Sequence, residues 1–141
     1  MENFNIEKDI QVVYIMATSF PDGVLEAHQR LHSIVPFSKE RGYFGISYGN
    51  TEGLSQELGG GIIYKAAAEI VGDEKYDLEV FTIKKGNYLS ETLKDYQNDI
   101  PSIGKTFQEM LTDPRIDKNG YCLEIYLNDR DMQCLVKLND E

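Results

Sequence analysis

The strongest constraint on the fold of this chain is an order of elements that is written twice. Ile10 to Ala17 is a continuous apolar run rich in β-branched residues, the pattern of a strand buried on both faces. Phe20-Pro21-Asp22-Gly23 interrupts it. The spacing of Val24, Ala27, Leu31, Ile34 and Val35 then predicts a helix from about Gly23 to Val35, with Asp22 near its start and Pro36 ending it. Two strands follow, Tyr43 to Tyr48 and Ile62 to Val71, joined by a Gly-rich polar loop over Gly49 to Gly61. The same order returns later. Leu78 to Ile83 and Asn87 to Leu93 are strand-like around Lys84-Lys85-Gly86, and a helix over Pro101 to Thr112 carries Ile103, Phe107, Met110 and Leu111 along one side. Gly104 lies on that side, where it permits close approach to a sheet. Asp113-Pro114 ends the helix, and Asn119-Gly120 turns the chain into a closing hairpin.

Two strand–helix–strand–strand halves, about residues 8–72 and 77–139, are therefore expected within a single domain spanning residues 1–141. The expected class is α+β: a curved antiparallel sheet with both helices on one face and a ligand pocket on the other.

The hairpin from Tyr121 to Leu138 contains one acid inside an otherwise apolar strand, Glu124. With Asp129-Arg130 as the turn, Ile125 is expected opposite Cys134 and Glu124 opposite Leu135. Glu124 and Tyr126 would then share the face of Gln133 and Leu135, away from the apolar face of Leu123, Ile125, Met132 and Cys134. In that register Cys122 and Cys134 point to opposite faces, which disfavours a disulfide. A carboxylate on a half-apolar, tyrosine-flanked face is costly to bury without a partner, and a cationic ligand would supply one.

Composition excludes several alternatives. Lys and Arg number 14 against 24 Asp and Glu, a net charge of −10, which argues against a protein that grips a phosphate backbone. Met-Glu-Asn-Phe-Asn has neither a basic nor an apolar segment of a secretory signal, and no apolar run reaches the roughly 20 residues that span a bilayer. A cytoplasmic protein without membrane contact is expected. His28 and His32 have the spacing of helical zinc ligands, but no glutamate follows the first and no third ligand is apparent. Gly104-Lys105-Thr106 imitates the end of a phosphate-binding loop, yet Asp99 stands where the first glycine is required. No metal or cofactor is expected.

Five short motifs, in order, give the chain a likeness to a known family. They are Ser19-Phe20-Pro21, Tyr43-Phe44-Gly45-Ile46-Ser47, Phe81-Thr82-Ile83-Lys84-Lys85-Gly86-Asn87-Tyr88, Gly104-Lys105-Thr106-Phe107 and Leu123-Glu124-Ile125-Tyr126. On these the chain resembles GyrI-like proteins, the effector-binding domains of bacterial multidrug-sensing transcription activators and their free-standing relatives. The resemblance implies a duplicated strand–helix–strand–strand fold with an aromatic-lined pocket and a central glutamate that accepts cationic, planar, hydrophobic compounds. That glutamate corresponds to Glu124, and Tyr126 and Tyr88 to aromatic positions near it. Tyr48 and Tyr64 are further candidates for the lining. An aromatic residue, often Trp, commonly follows the family glutamate, whereas Ile125 does so here and the chain has no Trp. No segment remains for a helix-turn-helix, so direct control of transcription by this chain alone is not expected.

The function so implied is a stand-alone binding protein for amphipathic, cationic aromatic compounds, with a homodimer left open. An alternative within the same resemblance is a hydrolase of reactive cyclopropane-type compounds. In it Glu124 would be the general base on water, and Tyr126 would stabilise the leaving group. A third is a DNA gyrase inhibitor acting by protein contact, its acidic surface imitating nucleic acid.

Overall fold

The computed structural model describes residues 1–49 and 62–139. Its elements in chain order are β1 (Glu2–Ile6), β2 (Ile10–Met16), α1 (Val24–Ile34), β3 (Tyr43–Gly49), β4 (Ile62–Glu69), β5 (Glu79–Ile83), β6 (Gly86–Leu93), α2 (Pro101–Met110), β7 (Cys122–Tyr126) and β8 (Met132–Lys137), with a 3₁₀ turn at Tyr96–Asn98. The class is α+β and the pairings described are antiparallel. Apart from Gly49, the loop expected over Gly49 to Gly61 lies outside the described residues. The chain divides into two compact units, Ile10–Ile83 and Met1–Asp9 with Lys84–Glu141.

In the unit Ile10–Ile83 the strands lie in the order β3, β4, β2, β5. Their helix-bearing face carries Val13, Ile15, Tyr64, Ala66 and Ala68, which close over Ala27, Leu31 and Val35 of the α1 segment. Asp22 does not cap α1. Gly23 is its N-cap residue and no side chain bonds there. A Cβ at Gly23 would stand 2.9 Å from the Ser19 backbone, so the tight entry into the helix demands glycine. Val35 turns to extended geometry before Pro36, as the proline requires.

In the other unit the order is β1, β6, β8, β7. Leu89, Met132, Cys134 and Val136 pack with Met110, Ile103 and Phe107 of α2. Pro101 sits in the first turn of α2, where its missing N–H costs nothing. Gly104 does not approach a sheet: nothing lies within 4 Å of the place a Cβ would occupy. The strand–helix–strand–strand order β2-α1-β3-β4 recurs as β6-α2-β7-β8. In both, the last strand pairs with the first on one side and with the middle strand on the other.

Each unit adds a fourth strand beside its first, and these two depart from the sequence reading. Residues 79–83 pair with β2, so this strand belongs with the first module, not with the one that follows it. The second module instead recruits β1, whose Glu2-Asn3-Phe4-Asn5-Ile6 carries only two apolar residues, too short an alternation to mark a strand. Backbone pairing with β6 on one side holds this edge, with Ile6 its one buried side chain and an Asn5–Asn87 side-chain bond beside it.

The closing hairpin is out of the expected register by one residue. Glu124 faces Cys134, Ile125 faces Gln133 and Tyr126 faces Met132. The cause is the loop. Asp129-Arg130 lacks the Gly or Asn that a two-residue turn favours, and Asn128 Oδ1 instead accepts from the N–H groups of Arg130 and Asp131. Leu127 N–H then closes the loop on the Asp131 carbonyl. A slip of one residue sends every side chain of β7 to the other face.

Candidate functional site: the acidic row on the helix-bearing face

The register places Cys122, Glu124 and Tyr126 on the same face as Met132, Cys134 and Val136, the face on which α2 packs. This corrects the expectation that Glu124 stands beside Leu135 on the face away from the helices. It also brings Cys122 and Cys134 to one face, as diagonal neighbours that are not joined in a disulfide. On the helix-free face of this unit Tyr88, Leu123 and Leu135 are wholly buried.

Glu124 is half-buried and Tyr126 lies two residues along the same strand. The Tyr126 hydroxyl donates to Glu124 Oε1 at 2.5 Å, a charge-assisted bond. The ring of Tyr126 stands 6.2 Å from that of Tyr96, inclined by 44°. Tyr96 is delivered by the 3₁₀ turn, which is tied to the hairpin by Tyr96 N–H bonding the Arg130 carbonyl. Sequence reading did not single out Tyr96. It lies in a polar connection, Lys94-Asp95-Tyr96-Gln97-Asn98, where only an aromatic residue among polar neighbours marks it.

A row of three side chains crosses this sheet face: Glu91 on β6, Cys134 on β8 and Glu124 on β7, each opposite the next. With strands roughly 4.8 Å apart, the two carboxylate-bearing positions stand on the order of 10 Å from each other. The thiol registers their field. Burial, then the charge of Glu124, then Cys122 and Glu91, push Cys134 up to about 12. Glu91 is further held by the Met1 amino group at 3.4 Å. The face is apolar, aromatic and negative, which suits a flat organic cation.

Of the other expected lining residues, Tyr88 belongs to the same sheet as Glu124 but to its opposite face. Tyr88 is wholly buried on the helix-free side. Its hydroxyl donates to the Lys84 carbonyl at 2.7 Å and stands 2.8 Å from the Tyr121 hydroxyl, which accepts from Lys84 N–H. That cluster locks the turn before β6, where Gly86 takes a φ of 135°. Tyr64 and Tyr48 belong to the other unit and lie on opposite faces of its sheet. Tyr64 is buried on the α1 side, its hydroxyl 2.8 Å from His28 Nε2 and its ring stacked near Phe20. His28 is thus engaged by a phenol, and burial together with His32 lowers its pKa to about 4. Tyr48 lies against the ammonium of Lys65, 5.0 Å from its ring centroid. A cleft of about 440 Å³ lies elsewhere, at the hairpin tip, lined by Lys94, Asp95, Asn128, Asp129, Arg130 and Asp131. The residues that line it are all charged or amide-bearing, with no aromatic side chain among them. Among the described residues no three His, Cys, Asp or Glu side chains are grouped to hold a metal ion, and no helix is long and apolar enough to cross a membrane.

Comparison with known proteins bears on the fold. No family model matches the chain, and no curated protein matches it. Among solved structures the chain is similar to an integron cassette protein from the mobile metagenome of Vibrio cholerae. The two are 8% identical, with a TM-score of 0.74, over 98% of this chain and 95% of that one. At that identity the likeness is one of fold.

Proposed function

We propose that this chain is a binding protein for amphipathic, cationic aromatic compounds, as its resemblance to GyrI-like proteins implies. Glu124 is the charge partner, and Tyr126 and Tyr96 supply the aromatic surface. The observation that carries this reading is the half-buried Glu124 carboxylate on an apolar sheet face, bonded by one tyrosine whose ring lies against a second. A cation about 4 Å from such a carboxylate gains on the order of 4 kcal/mol at an effective dielectric near 20. Each favourable aromatic face adds about 0.5–2 kcal/mol. Selection by charge and flatness, with little hydrogen-bond detail, admits many ligands. The proposed setting is the cytoplasm, with the chain acting alone or as a homodimer.

The test is titration of a planar cationic dye and a neutral dye of matched shape into wild type, Glu124→Gln and Glu124→Ala. Affinity for the cation falls roughly 10- to 100-fold in both variants, corresponding to about 1.4–2.8 kcal/mol, while the neutral dye changes little. Equal affinity for the cation in all three proteins removes the role assigned to Glu124.

One observation favours a second reading, hydrolysis of strained electrophiles. The 2.5 Å bond places a proton donor, the Tyr126 hydroxyl, directly against a carboxylate that could take a proton from water. Turnover that disappears in Glu124→Gln while dye binding persists would select this reading over simple binding.

A further inference from the structure

Three cationic side chains of the described residues are buried, and they are satisfied in different ways. Arg41 is held by both carboxylate oxygens of Glu74. Lys137 donates to the Leu138 carbonyl at 3.0 Å. Lys65, only 6% exposed, has neither. Among the described residues no carboxylate pairs with it and no acceptor takes its N–H groups. Its ammonium is surrounded by three rings instead, with centroids at 4.4 Å for Tyr14, 4.8 Å for Phe81 and 5.0 Å for Tyr48.

Topology explains the arrangement. Lys65 sits on β4, opposite Ile46 of β3 and Met16 of β2, so its side chain leaves the sheet on the side away from α1. Tyr48, Tyr14 and Phe81, on β3, β2 and β5, share that side. The rings hold the charge but accept no ordinary hydrogen bonds, and an ammonium carries three N–H donors. Lysine is rarely buried without an acceptor, since taking its charge from water carries a large cost. The ammonium is not sealed: among the described residues the one unbonded side-chain atom wholly cut off from solvent is Arg41 Nε. Each of the three rings is partly exposed, and Met16 beside them is 48% exposed.

We infer that Lys65, with Tyr14, Tyr48 and Phe81, forms a binding site for a flat aromatic anion, such as an arylcarboxylate. The carboxylate accepts from the Lys65 ammonium, and the ligand ring packs on the exposed edges of the three aromatic side chains. This site is built wholly from side chains of the unit Ile10–Ile83. It also reassigns Tyr48, from lining a cation pocket to holding the chain's own cation so that an anion can reach it.

The probe is 2-naphthoate, titrated by calorimetry into the full chain, with 2-naphthylmethanol as the neutral isostere. Lys65→Met keeps the aliphatic stem and removes the charge, and its folding is checked by circular dichroism. Saturable naphthoate binding is expected, at least tenfold weaker for the alcohol and at least tenfold weaker in Lys65→Met. Should Lys65→Met fail to fold, amide NMR of wild type decides the question. Shifts centred on Tyr14, Tyr48, Lys65 and Phe81 support the site, and shifts centred elsewhere overturn it. Equal binding of acid and alcohol, unchanged binding in a folded Lys65→Met, or no saturable binding would also overturn it.

Discussion

Glu124 and Cys134 face each other across the β7–β8 ladder, and the thiol is held protonated between two carboxylates of one cross-strand row. A buried sulfur with acids on both flanks is a poor nucleophile, because the thiolate is the reactive species. The same pairing measures the register: had the hairpin turned at Asp129-Arg130, the carboxylate would have faced Leu135 and the thiol Ile125.

Cys134 therefore resists alkylation in the folded protein at neutral pH and reacts only after denaturation, while half-buried Cys122 reacts first. Mass spectrometry after timed iodoacetamide treatment reads this directly. The pH dependence has a definite sign. The folded value near 12 lies above the usual thiol range, so Cys134 contributes stability that is complete below about pH 8.5 and is lost as pH rises toward 12. Urea melts at pH 8 and pH 10 should show a loss that Cys134→Val abolishes.

His28 acts in the opposite pH range. Its folded value near 4 lies below the ordinary 6.5, so between those limits the unfolded chain binds more protons. Stability present above pH 6.5 is lost as pH falls toward 4, by about 2 kcal/mol after allowing for partial exposure. His28→Gln should flatten the denaturation midpoint over that window. An unchanged slope would show that His28 titrates normally.

Tyr88 and Tyr121 form a coupled pair through their hydroxyls and the backbone of Lys84. Tyr88→Phe and Tyr121→Phe should each cost about 1 kcal/mol, and the double variant less than the sum. A double-mutant cycle by urea denaturation measures the coupling, and strict additivity would contradict it.

Arg41 ties the segment before β3 to the turn after β4. Its guanidinium bonds the Glu69 carbonyl and both oxygens of Glu74, holding that carboxylate at about 2. Arg41→Met should lower the melting temperature by roughly 5 °C or more. Because Glu74 stays ionised, the loss should be the same at pH 5 and pH 7, which calorimetry at the two values checks.

Much of this architecture was legible in the sequence. Leu31 and Met110 lie on apolar stripes with helical spacing, so both helices and their buried sides could be read directly. Strand β1 could not, because Glu2, Asn3, Phe4 and Asn5 are exposed, Ile6 alone is buried, and the edge is held largely by pairing with β6. The face of Glu124 depended on a loop fixed by Asn128, an interaction that alternation within the strands does not encode. Lys65 was invisible for a related reason. A lone lysine in Ile62-Ile63-Tyr64-Lys65-Ala66 reads as a solvent-facing residue until three strands deliver rings around it.

The unit Ile10–Ile83 is continuous in the chain, while the other is assembled from the segments before and after it, stitched where Lys85 N–H bonds Asp9 Oδ1 at 2.8 Å. The order of the segments sets when the strands of each unit are complete during synthesis. The inner segment has all its strands once residue 83 has emerged, whereas β1, made first, waits for β6 to appear as its partner. A strand of Glu, Asn, Phe, Asn and Ile suits that interval, since its polar side chains keep an unpaired edge from joining another chain.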